Sequence, residues 1–420
     1  MPGPTPVLEL TATAMAAGGD AVSRDGRGRV VFVRGALPGE TVEAEVVDER
    51  TDFARAVAVA VLDPSPDRMA PPCPHVARGC GGCGWQHVEP TAQVRLKLDI
   101  VSEALRRQGG LDDPVVTAAA PLASSGYRTT LRLAVTPAGA GFHRHHGHDV
   151  VEVDSCLVAH PRLQELLAES DFGAAVEVTL RCSAATGERL ALVSPDTTGV
   201  ETPADVQVVG LDEVRAGRRA WIHEEVAGHR FRVSARSFFQ ARPDGAEQLV
   251  GAVRHALRGA PEGPFVDLYG GVGLFAATVA GSRRVTVVER SASSVADARA
   301  NLPGARVLLV DVDRWRPSPA KAVVADPSRT GLGRAAVRAV ERTGTSHLAL
   351  VSCDPASLGR DARLLASAGF RHEGSTVVDL FPHTPHVEVV SRFVRDGSRT
   401  TASEPRRVRR QASVRGRTSS

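Results

Sequence analysis

Cys353 lies at the junction between an apolar run and a helix-start signal. Residues 349–351 are typical of the end of a buried strand, and Asp354 and Pro355 are typical of an N-cap and a first helical residue. In open α/β sheets the carboxyl ends of the strands face the ligand crevice, and the positive end of a helix dipole stabilises a thiolate. We therefore interpret Cys353 as a nucleophile, with a small buried core residue as the alternative.

A thiolate beside a methyl donor would suit one reaction in particular. The C5 carbon of a uracil ring is a poor nucleophile, but thiolate addition at C6 turns C5 into an enolate-like carbon that can attack an activated methyl group. A base must then remove the C5 proton so that the cysteine can leave. Glu388, in the apolar stretch HVEVV, is the candidate base, with His383 and His386 as rivals. A surface glutamate on an edge strand is the other interpretation of this residue.

A strand, a glycine-rich turn and a helix follow one another in PFVDLYGGVGLFAATVA. Gly271 and Gly273 would let the backbone approach a ligand closely. The stretch GVGLFA also fits the dinucleotide pattern G-x-G-x-x-G/A, so a nicotinamide enzyme is an alternative at this point. Glu289, at the end of the next strand, would suit a ribose hydroxyl in either case.

Carboxylates also end the two strands that follow. Asp311 ends the third strand, where it could meet an adenine amine, and Asp326 with Pro327 ends the fourth. An aspartate-proline pair at this edge is typical of enzymes that position a base or an amine beside S-adenosylmethionine, and it is not expected of a nicotinamide dehydrogenase. The pattern therefore favours S-adenosylmethionine as the cofactor.

Three of the six cysteines, Cys73, Cys80 and Cys83, are clustered in CPHVARGCGGC. The first residues lack a basic region followed by a continuous apolar stretch, so we expect no signal peptide and a cytoplasmic location. In that compartment clustered cysteines indicate a metal or cluster site rather than a disulfide framework. Cys182 lies in an alternating strand and is expected in the core. No apolar run of about 18 residues occurs, so no transmembrane helix is expected.

The elements around these residues predict a multidomain protein. Residues 7–62 alternate apolar and polar positions in short runs broken by glycine, which predicts a small antiparallel β-barrel of about five strands, and we assign residues 1–62 to this domain. Residues 63–236 carry the clustered cysteines, a helix from about 90 to 108 and then mostly strands, so we expect a central α+β domain. Residues 237–396 alternate helices with apolar strands, which predicts a doubly wound, Rossmann-like α/β domain, and residues 397–420 are expected to form a basic disordered tail.

The net charge of the chain is small, but nearly all of its basic residues are arginine. The formal net charge is +3, but among 51 basic residues only Lys97 and Lys321 are lysines. Arginine is well suited to phosphate contacts, whereas codon usage in a GC-rich genome is the simpler explanation of its abundance. Charge alone therefore does not decide whether the partner is a nucleic acid.

Five short stretches together resemble one enzyme family. They are FFQ at 238–240, DLYGGVG at 267–273, DPSRTGL at 326–332, SCDP at 352–355 and HVE at 386–388. In this combination the sequence resembles the RNA uracil-C5 methyltransferases, which make 5-methyluridine in ribosomal and transfer RNA. The resemblance implies that Cys353 is the nucleophile and Glu388 the proton-abstracting base. It also implies that the donor and base pocket is lined by Gln240, Tyr269, Glu289, Asp311 and Asp326.

The resemblance extends to the first half of the chain. Residues 7–62 look like a TRAM domain, an oligonucleotide-binding barrel. CPHVARGCGGCGWQH looks like the iron–sulfur motif of the family, which implies a [4Fe–4S] cluster on Cys73, Cys80 and Cys83, completed by Cys156. Four thiolates would also suit zinc, so that alternative stays open. Family members that act on transfer RNA usually lack both the barrel and the cluster, so ribosomal RNA is the expected substrate.

The alternatives to an RNA uracil-C5 methyltransferase are a non-catalytic RNA-binding protein and a methyltransferase that acts on cytosine or a small molecule. A non-catalytic RNA-binding protein is disfavoured because Cys353 and Glu388 are both present. A C5-cytosine or small-molecule methyltransferase would need no TRAM-like barrel, and a cytosine enzyme would usually carry a Pro-Cys motif, which does not occur at Cys353. We expect RNA as the partner, with no membrane and no obligate protein partner. The sequence leaves open which uridine is modified.

Overall fold

A computed structural model describes residues 6–145 and 147–395. These residues form two six-stranded sheets, a two-stranded hairpin and an eight-stranded sheet. In this part of the chain no helix is both long enough and apolar enough to cross a lipid bilayer. The predicted basic tail, residues 397–420, lies outside the described residues.

The first sheet contains six strands in the order β1-β5-β6-β4-β3-β2. Its inward side chains form one apolar core that includes Leu10, Val31 and Val42. The sequence predicts about five strands, and the additional one, β2, has only two residues, too few to show an alternating pattern. The strands are β1 (Val7–Thr11), β2 (Ala14–Met15), β3 (Ala21–Arg24), β4 (Val30–Arg34), β5 (Thr41–Glu49) and β6 (Phe53–Asp63).

The turn between β2 and β3 contacts Trp85 and Pro385, which lie in later parts of the chain. The Trp85 indole Nε1 donates a hydrogen bond to the Gly19 carbonyl over 3.0 Å. Gly19 has φ +98°, and a Cβ atom added there would lie 2.6 Å from the Pro385 Cβ. A side chain at this position would thus clash, so glycine allows the barrel to approach residue 385 closely.

Two helices and a short strand connect this barrel to the rest of the chain: α1 (Pro74–Ala77), α2 (Pro90–Arg107) and β7 (Val116–Ala118). The Glu89 carboxylate caps α2 by accepting the backbone N–H groups of Thr91 and Ala92. Although the sequence places α2 and β7 in the central segment, they pack with the C-terminal domain. β7 pairs with a strand of its sheet, and Val101 and Leu105 enter its core. A three-residue strand carries no periodic signal from which this pairing could be predicted.

The central sheet has the order β10-β9-β8-β11-β12-β13. Its core lies against α3, and Cys182 is 1% exposed within it, as expected of a core residue. A separate hairpin, β14–β15, leads to the last domain. The elements are β8 (Thr130–Thr136), β9 (Gly139–His143), β10 (Val150–Glu152), α3 (Pro161–Glu169), β11 (Glu177–Cys182), β12 (Arg189–Ser194), β13 (Val206–Gly210), α4 (Leu211–Arg215), β14 (Trp221–Val226) and β15 (His229–Ser234).

The C-terminal sheet has the order β18-β17-β16-β19-β20-β22-β21-β7. Its strands are parallel to their neighbours except β22, which runs antiparallel to both β20 and β21. The elements are α5 (Pro243–Ala256), β16 (Phe265–Leu268), α6 (Leu274–Val279), β17 (Val285–Glu289), α7 (Ala292–Asn301), β18 (Arg306–Leu309), a 3-10 turn (Val312–Arg314), β19 (Ala322–Ala325), α8 (Gly333–Arg342), β20 (His347–Ser352), α9 (Pro355–Ser367), β21 (Arg371–Val378) and β22 (Glu388–Val394).

Successive residues of these parallel strands point into two different cores. Val324 and Ala349 pack on the side of α5 and α6, whereas Val323 and Leu348 pack on the side of α2, α8 and α9. Helices therefore cover both faces of the sheet, which accounts for the short continuous apolar runs in its parallel strands, such as β19. This confirms the predicted doubly wound domain.

Candidate active site

A pocket of about 770 Å³ opens at the carboxyl ends of the parallel strands. Open α/β sheets bind their ligands at this edge. Eight of the nine predicted catalytic and cofactor-binding residues line it: Gln240, Tyr269, Gly271, Glu289, Asp311, Asp326, Cys353 and Glu388. The ninth, Gly273, does not line the pocket and is the N-cap residue of α6, immediately behind the turn.

The glycine turn holds its shape through positive φ angles and one carboxylate. Tyr269, Gly271 and Gly273 have φ values of +58°, +54° and +94°. The Gly271 N–H donates to Glu289 Oε2 over 3.0 Å, and the Ser291 N–H donates to Glu289 Oε1 over 2.6 Å. The carboxylate at the end of β17 is thus fixed against the turn at the predicted ribose position.

Asp326 and Glu388 occupy one desolvated region of the pocket. Burial, together with the negative charge of Glu289, raises the pKa of Asp326 to about 7. Burial, together with the charge of Asp326, raises the pKa of Glu388 well above its ordinary value, and the residue is 5% exposed. A carboxylate in such surroundings binds a proton more strongly than one in water.

Cys353 lies directly beyond β20, and Asp354 caps α9 by accepting the Ser357 N–H over 2.6 Å. This is the strand–cysteine–helix arrangement that the sequence predicts. The sequence predicts a thiolate here, but the surroundings of the sulfur oppose one. Burial and the nearby carboxylates of Glu388 and Asp326 raise the pKa of the thiol to about 11, and the opposing charge of Arg329 is too weak to prevent it.

The two histidines that rival Glu388 differ in position. His386 lines the pocket, next in the chain to Val387 and Glu388. His383 is 3% exposed, and its ring Nδ1 lies 3.4 Å from the Gln93 side-chain nitrogen on helix α2. Only His386 among the two therefore lines the space where a substrate would bind.

Sequence reasoning missed several residues of the pocket wall. Phe238 is 68% exposed there, two residues before the buried Gln240, and Arg128, Arg236 and Arg329 line the same pocket. The FFQ stretch could have indicated Phe238. The three arginines could not be distinguished from the many others in the chain.

Asp267, in β16 beneath the turn, was also missed. Its Oδ2 accepts the Ala276 N–H over 2.9 Å, and within the described part of the chain its Oδ1 has no hydrogen-bond partner. Because the residue is fully buried, its pKa rises to about 8. The side chain is therefore mostly protonated at neutral pH.

A second cavity, of about 30 Å³, is lined by all four predicted cluster ligands, Cys73, Cys80, Cys83 and Cys156. All four are free thiols. The Gln86 side-chain Oε1 accepts the Cys73 N–H over 3.0 Å, and burial raises the pKa of Cys83 to about 11. Among the described residues, no three His, Cys, Asp or Glu side chains form a group that could hold a metal ion.

Comparison with known proteins decides the family. Residues 7–59 match the TRAM domain. An uncharacterized RNA methyltransferase of Streptomyces avermitilis is 34% identical over 91% of this chain and 97% of its own. The 23S rRNA (uracil(1939)-C(5))-methyltransferase RlmD of Alkalilimnicola ehrlichii is 32% identical over 89% of this chain and 95% of its own. The chain belongs to the RNA uracil-C5 methyltransferase family.

Membership in the RNA uracil-C5 methyltransferase family confirms two of the sequence-based predictions. The barrel is a TRAM domain, and the chain is an RNA methyltransferase, not the nicotinamide enzyme that the glycine pattern alone allowed. The fold also agrees with that of the tRNA (uracil-54, C5)-methyltransferase of Pyrococcus abyssi, solved with S-adenosyl-L-homocysteine. The two superpose with a TM-score of 0.70 at 22% identity, over 92% of this chain and 99% of the other.

Proposed function

We propose that this enzyme transfers a methyl group from S-adenosylmethionine to the C5 carbon of a uridine in ribosomal RNA, through a covalent bond between Cys353 and C6. One observation carries the proposal. Cys353, Asp326 and Glu388 line the same pocket as the glycine turn. A nucleophile, a polar contact for the base and a proton acceptor thus surround one space large enough for a donor and a nucleotide.

The donor end of the pocket is the region around the glycine turn. Glu289, already fixed by two backbone N–H groups, would accept the ribose hydroxyls, and Asp311 would accept the adenine amine. Tyr269 and Gln240 would contact the remainder of the donor. Gly273 would act indirectly, by shaping the turn.

The reaction balances with these groups, the methyl donor and solvent, which takes the proton of the Cys353 thiol. The Cys353 sulfur forms a bond to C6, C5 attacks the donor methyl group, and S-adenosylhomocysteine leaves as a neutral thioether. Glu388 then takes the C5 proton, the C5–C6 double bond re-forms and the sulfur leaves. The thiol must first lose a proton despite its raised pKa of about 11. The positive charge of the bound donor would favour both the thiolate and the ionised carboxylates.

The target uridine must leave its stack to reach Cys353. Unstacking costs a few kcal/mol and is easiest in a single-stranded loop. The exposed ring of Phe238 offers a surface for base stacking, and Arg128, Arg236 and Arg329 would meet phosphates at the pocket wall. The TRAM barrel would add sequence-independent, salt-sensitive contacts.

We further propose that Cys73, Cys80, Cys83 and Cys156 hold a [4Fe–4S] cluster. The support is chemical, since these four thiols line one cavity and thiolates are the ligands of such clusters. Within the described residues no three of them are grouped as metal ligands, so cluster binding would have to bring the sulfurs together. Zinc is the second candidate for the same donors. Methyl transfer needs no electron transfer, so the cluster would have a structural or RNA-folding role.

Ribosomal RNA is preferred to transfer RNA because relatives similar over most of the chain are named as 23S rRNA methyltransferases. The solved structure of similar fold is a transfer-RNA enzyme, but at 22% identity it supports the fold alone. A cytoplasmic site of action follows from this substrate. Nucleoside mass spectrometry of ribosomal and transfer RNA from cells lacking the gene would identify the modified molecule.

A trapping experiment tests the mechanism. RNA that contains 5-fluorouridine carries fluorine where Glu388 would remove a proton, so the covalent intermediate should persist on a denaturing gel. We expect an adduct with the native chain and S-adenosylmethionine, and none with Cys353→Ala. Cys182→Ala, in the core of another domain, is the matched control and should still form the adduct. RNA binding without any adduct would instead support the non-catalytic alternative.

A further inference from the structure

The nine residues between β21 and β22 lead directly into Glu388. We call residues 379–387 the base loop. Glu388 is the first residue of β22 and pairs with Val378, the last residue of β21. The base loop also forms part of the pocket wall, through Phe381, Thr384, His386 and Val387. Its conformation therefore sets where the carboxylate meets a bound base.

A buried ammonium group on α2 holds the start of the base loop. Lys97 Nζ donates to Asp379 Oδ1 over 2.6 Å and to the Phe381 carbonyl over 3.1 Å. The lysine side chain is 0% exposed, and its Nζ lies 5.9 Å from the centre of the Trp85 ring. Such a buried ion pair is weak evidence for a role in stability, because well-packed apolar residues often stabilise a protein as well or better.

A glutamine on the same helix holds the middle of the loop. The Gln93 Oε1 accepts the His383 N–H over 2.6 Å, while the Trp85 N–H donates to the His383 carbonyl over 2.8 Å. The Gln93 Nε2 donates to the Val88 carbonyl over 2.8 Å, which fixes the amide itself. The backbone N–H and carbonyl of His383 are thus both bound by residues that lie far earlier in the chain.

His383 needs this support because its backbone is strained. Its φ is +66°, a left-handed value that residues other than glycine seldom adopt. Such residues persist only where the surroundings over-determine them, typically at functional sites. Without Gln93 and Lys97 the loop would relax, and the residues that follow it, up to Glu388, would shift.

We propose that Gln93 and Lys97 are positioning residues for proton abstraction, which they serve by fixing the base loop so that Glu388 faces the C5 carbon. This proposal rests on the proposed role of Glu388. Neither side chain is among those that line the pocket, so neither would take part in donor binding or in the attack of Cys353. Their loss should therefore slow the last chemical step and leave the earlier ones intact.

This order of steps gives a signature that a purely structural role would not produce. If only proton abstraction slows, the methylated enzyme–RNA adduct accumulates on ordinary uridine RNA while turnover falls. Replacing the C5 hydrogen with deuterium should then reduce the rate further, because breaking this bond has become rate-limiting. General loss of folded enzyme would instead lower the adduct and the turnover together.

The experiment compares Gln93→Leu and Lys97→Met with Arg95→Met in the full chain. Arg95 lies on the same helix but is half exposed and pairs with Asp67, so its replacement is the matched control. We expect turnover of the first two variants to fall roughly tenfold to a hundredfold, with more adduct on ordinary RNA and a larger deuterium effect. Adduct formation on 5-fluorouridine RNA should keep its native rate, and Arg95→Met should resemble the native enzyme throughout.

Other results would overturn the proposal. Parallel loss of turnover and of both adducts would show a structural role, and unchanged turnover would show no role at all. The double variant Lys97→Met with Asp379→Leu, which removes both charges of the buried pair together, supplies a second variant if the first two fail to fold, and it should give the same signature. Absence of the 5-fluorouridine adduct in the native enzyme would mean that the proposed function itself had failed.

Discussion

At the scale of single residues, burial and negative charge in the pocket oppose the ionisation of Cys353. Cys353 lies at a helix start, which favours its thiolate, but burial and two carboxylates have the larger effect. These groups therefore favour the protonated thiol at neutral pH. If Cys353 acts as proposed, the positive charge of the methyl donor would offset the two carboxylates and favour the thiolate.

Asp267 gives a prediction about pH and stability. Its pKa in the folded protein is about 8, against an ordinary value of 3.8. Between these values the folded chain holds a proton that the unfolded chain has lost, so this residue costs increasing stability as the pH rises from about 4 to about 8. Asp267→Asn cannot ionise. Its melting temperature relative to the native enzyme should thus increase from pH 5 to pH 8.5.

The control for this measurement is Asp112→Asn, at an exposed position. Its melting temperature relative to the native enzyme should stay constant over the same range. A difference between Asp267→Asn and the native enzyme that does not vary with pH would contradict the assignment of a protonated, buried carboxyl.

Some residues could be predicted from the sequence because their signal is local. Cys353 is flanked by a strand and a helix start, and Asp326 is followed by proline. Gln93 and Lys97 could not be predicted, since their partners in the base loop lie more than 280 residues further along the chain. The raised pKa of Cys353 could not be predicted either, because it depends on how closely three strand ends approach one another.

At the scale of elements, the glycine turn contains two positions with different requirements. Gly271 has φ +54° and no atom within 4 Å of an added Cβ. Gly273 has φ +94°, and a Cβ there would lie 2.5 Å from Leu302 Cδ1. Both backbones disfavour alanine by about 1–2 kcal/mol, but only Gly273→Ala adds a steric clash. We expect Gly273→Ala to lower the melting temperature more than Gly271→Ala, whereas Gly271→Ala, in the pocket wall, should weaken donor binding at least as much as Gly273→Ala.

Isothermal titration with S-adenosylhomocysteine and thermal unfolding would measure the two effects. The two alanine variants serve as controls for each other, because they share the change in backbone preference. Equal losses of melting temperature for both variants would mean that the contact between the turn and Leu302 does not matter.

Helices and strands with a clear pattern of apolar residues could be predicted from the sequence, whereas very short strands could not. The apolar strands β16, β17, β19 and β20 and the helices between them follow directly from the pattern of the sequence. The antiparallel insertion of β22 between β20 and β21 does not, because strand order depends on long-range pairing. This insertion brings Glu388 beside Cys353, so the site depends on the least predictable part of the sheet.

At the scale of the whole molecule, the four clustered cysteines join distant segments. Cys73, Cys80 and Cys83 precede α2, whereas Cys156 follows β10 in the central sheet. We expect the chain purified without oxygen to contain about four iron and four sulfide ions. Cys156→Ser should lose most of the iron. Stoichiometric zinc without iron would instead support the zinc alternative, and Cys182→Ala, outside the cavity, should keep the full metal content.

The close approach of the barrel to residue 385 restricts how this architecture can diversify. The turn at Gly19 has no room for a side chain against Pro385, and it also accepts the Trp85 indole. A chimera that received its barrel from a relative would therefore need a matching turn as well as compatible RNA contacts. An insertion in the Gly19 turn or in the base loop would disturb the pocket wall that the base loop forms. We therefore expect these two segments to change together in evolution.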